Sequence, residues 1–206
     1  MARRAFIDTL KQMNINLILQ NISQQAQLTA EEKEYFCSIL KPRTYLKRQF
    51  ILQQGDTCRY LNFVNKGCLR SYFVNDKGND FNLQFAIEDW WITDYCSLYN
   101  GKPSLQNIEA LENTEVLQIE KTQLDDLYLK IPKFEHFYRI LLQKAFITHE
   151  KRILYFISRT AEERYLAFRE YYGLFEQRIP QHHIASFIGV TPEFLSKIRN
   201  KIAKGY

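Results

Sequence analysis

The sequence predicts an α+β protein in which an antiparallel β unit, a sandwich or a barrel, is set between helical segments. Three observations predict it. The turn signals Gln54-Gly55-Asp56, Asn65-Lys66-Gly67, Asn75-Asp76-Lys77-Gly78 and Asn100-Gly101-Lys102-Pro103 punctuate the stretch from Arg43 to about Glu120, separating short runs of β-branched and aromatic residues. No long helical pattern interrupts that stretch, which argues against alternating βαβ units. On either side of it the apolar spacing becomes helical.

The 206 residues allow one compact unit or two modest modules. A hydrophobic fraction of 46% and a charged fraction of 25% exclude disorder and collagen-like chains. The net charge of +5 is mildly suggestive of an anionic partner. Cys37, Cys58, Cys68 and Cys96 form no C-x-x-C pair, and Met1-Ala-Arg-Arg does not open a leader peptide, so the expectation is a cytoplasmic protein with reduced thiols. No apolar run reaches the roughly 18 residues of a membrane span.

Along the chain, Leu10, Ile15, Leu17 and Ile18 share an apolar helical surface. Thr29 with Glu32 forms a capping box for a helix from about Ala30 to Leu40, which must stop before Pro42. The clearest strands are Asn62–Val64, Leu69–Val74, Asp80–Phe85, Asn107–Leu111 and Val116–Ile119. After Pro132 neither Gly nor Pro occurs until Gly173, so one helix can reach about Ser158, roughly 37 Å long. On it Phe134, Tyr138, Leu141, Ala145, Thr148, Arg152 and Tyr155 alternate spacings of four and three, a heptad-like seam. Phe137, Ile140, Ile147 and Leu154 make a second apolar row. A helix apolar on more than one face needs more than one partner. A second copy of the chain is the reading favoured by the polar Thr148 and Arg152 in the seam; burial within one chain is the alternative. Thr160 and Glu163 form a second capping box, starting a helix through about Phe175. These textures place boundaries at 1–130, 131–158 and 159–206.

Gln181 to Asn200 has the pattern of a helix-turn-helix. Ala185 is small where two helices cross, and Gly189 supplies a turn with positive φ. Ile184, Ile188, Val190, Leu195 and Ile198 form the shared apolar interior, and Thr191-Pro192 caps and opens the second helix. Glu193, Ser196, Lys197 and Asn200 then face outward. From Gln181 on, Lys197, Arg199, Lys201 and Lys204 stand against the single acid Glu193, an electrostatic footprint for phosphates. His182 and His183, at a helix start, are expected at the surface or against phosphates.

An enzyme of small-barrel type needs histidine and carboxylate ligands projecting into the barrel. His136, His149, His182 and His183 all lie outside the β region, and no G-x-S-x-G, H-E-x-x-H or phosphate-cradling glycine loop occurs. An enzyme is therefore not expected. An iron–sulfur cluster needs clustered thiolates, which the four cysteines do not supply. No cofactor is expected, with haem or redox sensing through Cys96 left open.

With the motif Thr160-Ala-Glu-Glu-Arg164 leading to His183-Ile-Ala-Ser-Phe-Ile-Gly-Val-Thr-Pro-Glu-Phe-Leu-Ser-Lys-Ile-Arg199, the chain resembles the Crp/Fnr family of bacterial transcription regulators over nearly its whole length. The resemblance implies a double-stranded β-helix (jelly-roll) sensor domain of the cyclic-nucleotide-binding kind, a long dimerisation helix and an all-α helix-turn-helix domain. It further implies a homodimer on a palindromic site in double-stranded DNA, with RNA polymerase as a further partner. Base-contacting positions fall on Pro192, Glu193 and Lys197, and Thr191 and Ser196 lie near phosphates. Asn200, Arg199 and Lys201 complete the expected DNA-binding set.

The chain departs from the family pattern in three places. Pro192 stands where a base-reading arginine is common, so specificity passes to Glu193, Lys197 and Asn200. The cassette that clamps a cyclic nucleotide in other members falls on Thr93-Asp94 and Ser104-Leu105. Asp94 can still accept from a hydroxyl, but Ser104 cannot replace a bidentate cation and Leu105 removes a donor. A cyclic phosphate would be desolvated without a counter-charge, which argues against cyclic AMP. Trp90, Trp91, Tyr95 and Tyr99 read as packing within the β unit, with a pocket for another ligand as the alternative. Finally, the expected domain lacks a full wing after the second helix, a loss that Lys201 and Lys204 partly offset. The rival function is a dimeric ligand-binding or protein-interaction module whose helix-turn-helix no longer binds DNA specifically.

Overall fold

The computed structural model describes residues 14–204; Leu10 and the Met1-Ala-Arg-Arg start lie outside them. Helix α1 spans Ile15–Ser23 and α2 spans Ala30–Ile39. The Thr29 hydroxyl accepts from Glu32 N at 3.2 Å and the Glu32 carboxylate accepts from Thr29 N at 2.7 Å, which closes the capping box. Leu40, just ahead of Pro42, is already extended.

Among the described residues eight strands follow, in two four-stranded sheets. They are β1 (Lys41–Tyr45), β2 (Phe50–Leu52), β3 (Tyr60–Lys66), β4 (Cys68–Val74), β5 (Asp80–Ile87), β6 (Trp91–Ile92), β7 (Asn107–Ala110) and β8 (Thr114–Glu120). The sheet orders are β1-β8-β3-β6 and β2-β7-β4-β5. A short helix, α3 (Tyr95–Asn100), interrupts the second half of the β region, and sequence texture does not mark it. Helix α4 is Lys121–Lys130, α5 is the long helix Lys133–Ser158, and α6 is Ala161–Tyr172. A 3-10 turn over Gly173–Arg178 leads to α7 (Gln181–Ile188) and α8 (Pro192–Ala203).

Strand alternation explains why β3 and β8 are buried on both faces. Val64 and Val116 point between the sheets, joining Leu52, Leu69, Ala86, Ile92 and Ile108. Leu61, Phe63, Leu117 and Ile119 point the other way, onto Ile18 and Ile22 of α1, Phe36 of α2, and Phe134 and Phe137 at the start of α5. By its contacts the chain forms two units. One comprises the chain up to Ser71 with Phe85–Gln143; the other comprises the hairpin segment Tyr72–Gln84 and the chain from Lys144 on. The division falls inside the long helix, where no change of sequence texture marks it.

Candidate nucleic-acid interface and sensor cassette

Helix α7 ends at Gly189 in the left-handed conformation, φ 73°. Val190 N donates to Ala185 O at 2.9 Å, the bond that closes a helix and turns the chain away. Glycine is required twice over, because a Cβ at position 189 would also come within 2.7 Å of the Phe156 ring. Thr191 then caps α8 by accepting from Phe194 N at 3.3 Å, with Pro192 at the first turn. Ile184, Ala185, Ile188, Leu195 and Ile198 are buried, and Phe187 meets Phe168 and Tyr172 ring to ring at 5.5 Å each.

Pro192, Glu193, Lys197 and Asn200 are exposed on the outer side of α8, as expected. Ser196 is half-buried and donates to Pro192 O at 3.0 Å, and the Thr191 hydroxyl is committed to its cap. Glu193 is held below the usual carboxylate range by its own backbone N–H and by a hydrogen bond with Thr191. Phe194, which the sequence reading leaves out of the interface, is 48% exposed beside them.

The two remaining cations of the expected set are engaged within the chain. Lys201 Nζ lies 2.7 Å from Glu162 Oε2, and Arg199 Nε lies 3.8 Å from Glu176 Oε1. Glu176 also takes the Tyr165 hydroxyl and lies 3.4 Å from Arg169, so it joins α6, the 3-10 turn and α8. Burial and that hydrogen bond push the Tyr165 phenol up to about 12. Lys197 on α8 and Lys204, the residue that follows it, have no ion pair among the described residues.

His182 is exposed, but His183 is buried against the β4–β5 hairpin and does not face outward. Its Nδ1 lies 3.7 Å from Asp80 Oδ2. Asn82 Nδ2 donates to His183 O at 3.3 Å, and Ser186 Oγ accepts from Asn82 N and donates to Asp80 O. Arg152 completes this junction. Its guanidinium donates to Leu83 O, to Asn82 O at 2.7 Å and to Phe187 O at 3.1 Å, and it stacks 3.9 Å over the Phe187 ring. Arg164 Nε takes the next carbonyl, Ile188 O, at 2.9 Å. Two guanidiniums thus cap the C-terminal carbonyls of α7. Burial lowers the Arg152 pKa to about 10, so it still carries its charge at neutral pH.

On α5, the first part of the seam expected to face a second copy packs within the chain, and the rest of it is partly exposed. Phe134 and Tyr138 are buried and Leu141 packs against the same cluster, while Ala145, Thr148, Arg152 and Tyr155 are half-buried. The alternation of four and three recurs one residue on, about 100° round the helix, in Leu142, Phe146, His149, Ile153 and Phe156, all exposed. Phe146 is 68%, Ile153 61% and Ile157 79% exposed. Of the second row, Phe137 is buried, whereas Ile147 and Leu154 are open to solvent.

The cassette positions are brought together and close on each other. Ser104 Oγ donates to Asp94 Oδ2 at 2.6 Å, and Asp94 Oδ1 accepts from Ser97 N at 3.1 Å as the cap of α3. Thr93 Oγ1 donates to Tyr60 O at 2.9 Å, and Leu105 is 69% exposed. Both oxygens of the buried Asp94 carboxylate are therefore already taken. Trp91 packs against Phe63, Phe137 and Tyr138 and donates to Asn21 Oδ1 at 2.9 Å, which makes it part of the core. Among the described residues no group of three or more His, Cys, Asp or Glu is placed to hold a metal ion.

A family model described as the cyclic nucleotide-binding domain matches residues 42–130. The chain is 25% identical over 169 residues to the regulatory protein HlyX of Actinobacillus pleuropneumoniae, spanning 77% of this chain and 70% of that protein. It is 26% identical over 171 residues to the fumarate and nitrate reduction regulatory protein of Vibrio cholerae, spanning 77% and 67%. In fold it is similar to FixK2 from Bradyrhizobium japonicum, with a TM-score of 0.69 at 16% identity over 81% of this chain and 86% of that one. The c-di-GMP responsive regulator CLP of Xanthomonas campestris gives 0.69 at 14% identity over 86% and 93%. HlyX and the fumarate and nitrate reduction protein are regulatory proteins.

Proposed function

We propose that this chain, which is similar to the Crp/Fnr transcription regulators, is itself a regulator of that kind, binds a palindromic operator in double-stranded DNA as a homodimer and answers to an effector other than cyclic AMP, or to none. The observation that carries this reading is the outer side of α8. Glu193 and Lys197 are exposed in the N-terminal half of a helix whose other side is packed, and Asn200 is exposed about one turn further on. A helix so presented suits the major groove. Glu193 is an anionic acceptor suited to the amino group of cytosine, Lys197 a donor to guanine, and Asn200 a partner for adenine. Pro192 has no N–H to offer. Because Arg199 and Lys201 already pair with Glu176 and Glu162, the salt dependence rests chiefly on Lys197 and Lys204. DNA work places the protein in the cytoplasm, with RNA polymerase as a further partner. No helix among the described residues is long and apolar enough to cross a membrane.

The test is selection of bound sequences from a random DNA pool, followed by titration across salt. Lys197→Ala is expected to weaken specific binding by roughly 1–3 kcal/mol and to flatten the salt slope. If no fragment is held above the non-specific background at any salt, the chain is an interaction module and not a DNA-binding regulator. The self-satisfied Asp94–Ser104 pair supports a second expectation. Millimolar cyclic AMP should leave the melting temperature unchanged, because a ligand stabilises only by binding the folded state. A saturable upward shift would reverse that part of the reading.

A further inference from the structure

The first turn of α8 presents an aromatic ring beside its polar groups. Phe194 is the third residue of the helix, and its backbone is fixed there because its N–H donates to the capping Thr191 hydroxyl at 3.3 Å. The ring is 48% exposed, at the edge between the buried Leu195 and Ile198 and the open Lys197. At 3.6 residues per turn, Phe194 lies about 60° round the helix from Lys197 and about 100° from Glu193, so it forms the flank of the same outward surface. Long helical side chains lean toward the helix N-terminus, which directs an aromatic at this position to the end of α8 that meets base edges in the proposed complex.

The polar groups of that turn are poor in donors. Pro192 has none, the Glu193 carboxylate only accepts, and the Thr191 hydroxyl is bonded both to Phe194 N and to Glu193. The first cation of the helix is Lys197, almost one turn further on. An acceptor beside an apolar ring does not match guanine, which shows two acceptors in the major groove. The apolar group that a base pair does present there is the C5-methyl of thymine. Contact between that methyl and the ring removes apolar surface from water on both sides.

We infer that Phe194 is a specificity-determining residue whose ring packs against the C5-methyl of one thymine in each half-site. This role rests on the DNA-binding reading and adds to it the base, and the group on that base, that the first turn of α8 recognises.

The probe is the duplex recovered by selection from the random pool, with its thymines replaced one at a time by deoxyuridine, which removes the methyl and keeps every hydrogen-bonding group. At one position of each half-site, wild-type affinity is expected to fall about fourfold for a single replacement and about fifteenfold when both half-sites are replaced, as burial of one methyl group apiece predicts. In Phe194→Ala the thymine and deoxyuridine duplexes should bind alike, and Phe194→Leu, which keeps apolar surface, should recover part of the discrimination. A merely structural role would weaken both duplexes equally and leave their ratio at the wild-type value, so the ratio separates recognition from folding. The inference is overturned if no thymine of the selected duplex can be told from deoxyuridine by the wild type, or if Phe194→Ala keeps the discrimination. A pool that yields no specifically bound duplex overturns the DNA-binding reading and this role with it, whereas a bound duplex indifferent to the methyl removes the role of Phe194 alone.

Discussion

A chain carrying Ile153→Asp and Ile157→Asp is expected to be monomeric at micromolar concentration and to lose operator affinity by roughly 10²–10⁴-fold. Ile153 and Ile157 are among the most exposed apolar residues of α5, and they continue the row of Leu142 and Phe146. Soluble proteins rarely leave such a contiguous apolar stripe uncovered. Its spacing of four and three matches two helices packed about a two-fold axis. Two aspartates placed there would have to be desolvated against the partner's own apolar row, at several kcal/mol per ion. Without dimerisation each half-site is held alone, and the gain from linking two binding modules is lost. Sedimentation equilibrium and DNA titration read the two effects. Far-UV circular dichroism should be unchanged, because neither side chain is buried within the chain. A double variant that still sediments as a dimer would show that the copies meet elsewhere.

Arg152→Ala is expected to destabilise the second unit by about 2–4 kcal/mol, although the residue contacts neither base nor ligand in the proposed function. Three backbone carbonyls, on Asn82, Leu83 and Phe187, lose a charged donor together, and the Phe187 ring loses its stacked guanidinium. No carboxylate among the described residues pairs with Arg152, so the carbonyl dipoles are what offset its burial. Arg152→Lys should recover little, since one ammonium cannot span three carbonyls as a planar fork does. Hydrogen exchange of the α7 amides is the measurement, because it reports opening of that unit alone. Protection unchanged in Arg152→Ala would mean that the Asn82–Ser186 and Asn82–His183 bonds hold the hairpin by themselves.

What the sequence by itself determined are the features whose partners lie within a few residues. The capping boxes at Thr29–Glu32 and Thr160–Glu163 close as expected, and α5 ends at Ser158, just ahead of the second. The turn at Gly189 and the Thr191-Pro192 start of α8 are likewise local, because a hydroxyl reaching an amide three positions on needs nothing from the rest of the chain. The β region was legible from its turns, though α3 and the short strands β2 and β6 were not, each being too brief to show a period.

The tertiary structure decided which of several equivalent surfaces is used. Alternation of four and three exists on two sides of α5, and the sequence contains no reason to prefer one. The choice came from what returns to cover it: the Phe36 and Trp91 cluster over its start, and the hairpin carbonyls that claim Arg152. Charge behaves the same way. Four cations near the end of the chain looked like one phosphate-binding patch, but Glu162 and Glu176, distant in sequence, return to pair with two of them. Asp94 and Ser104 looked like a weakened ligand clamp and proved to be each other's partners. Propensity and capping are settled over one helical turn, whereas the partner of a charge or of an apolar face is settled by where the chain comes back.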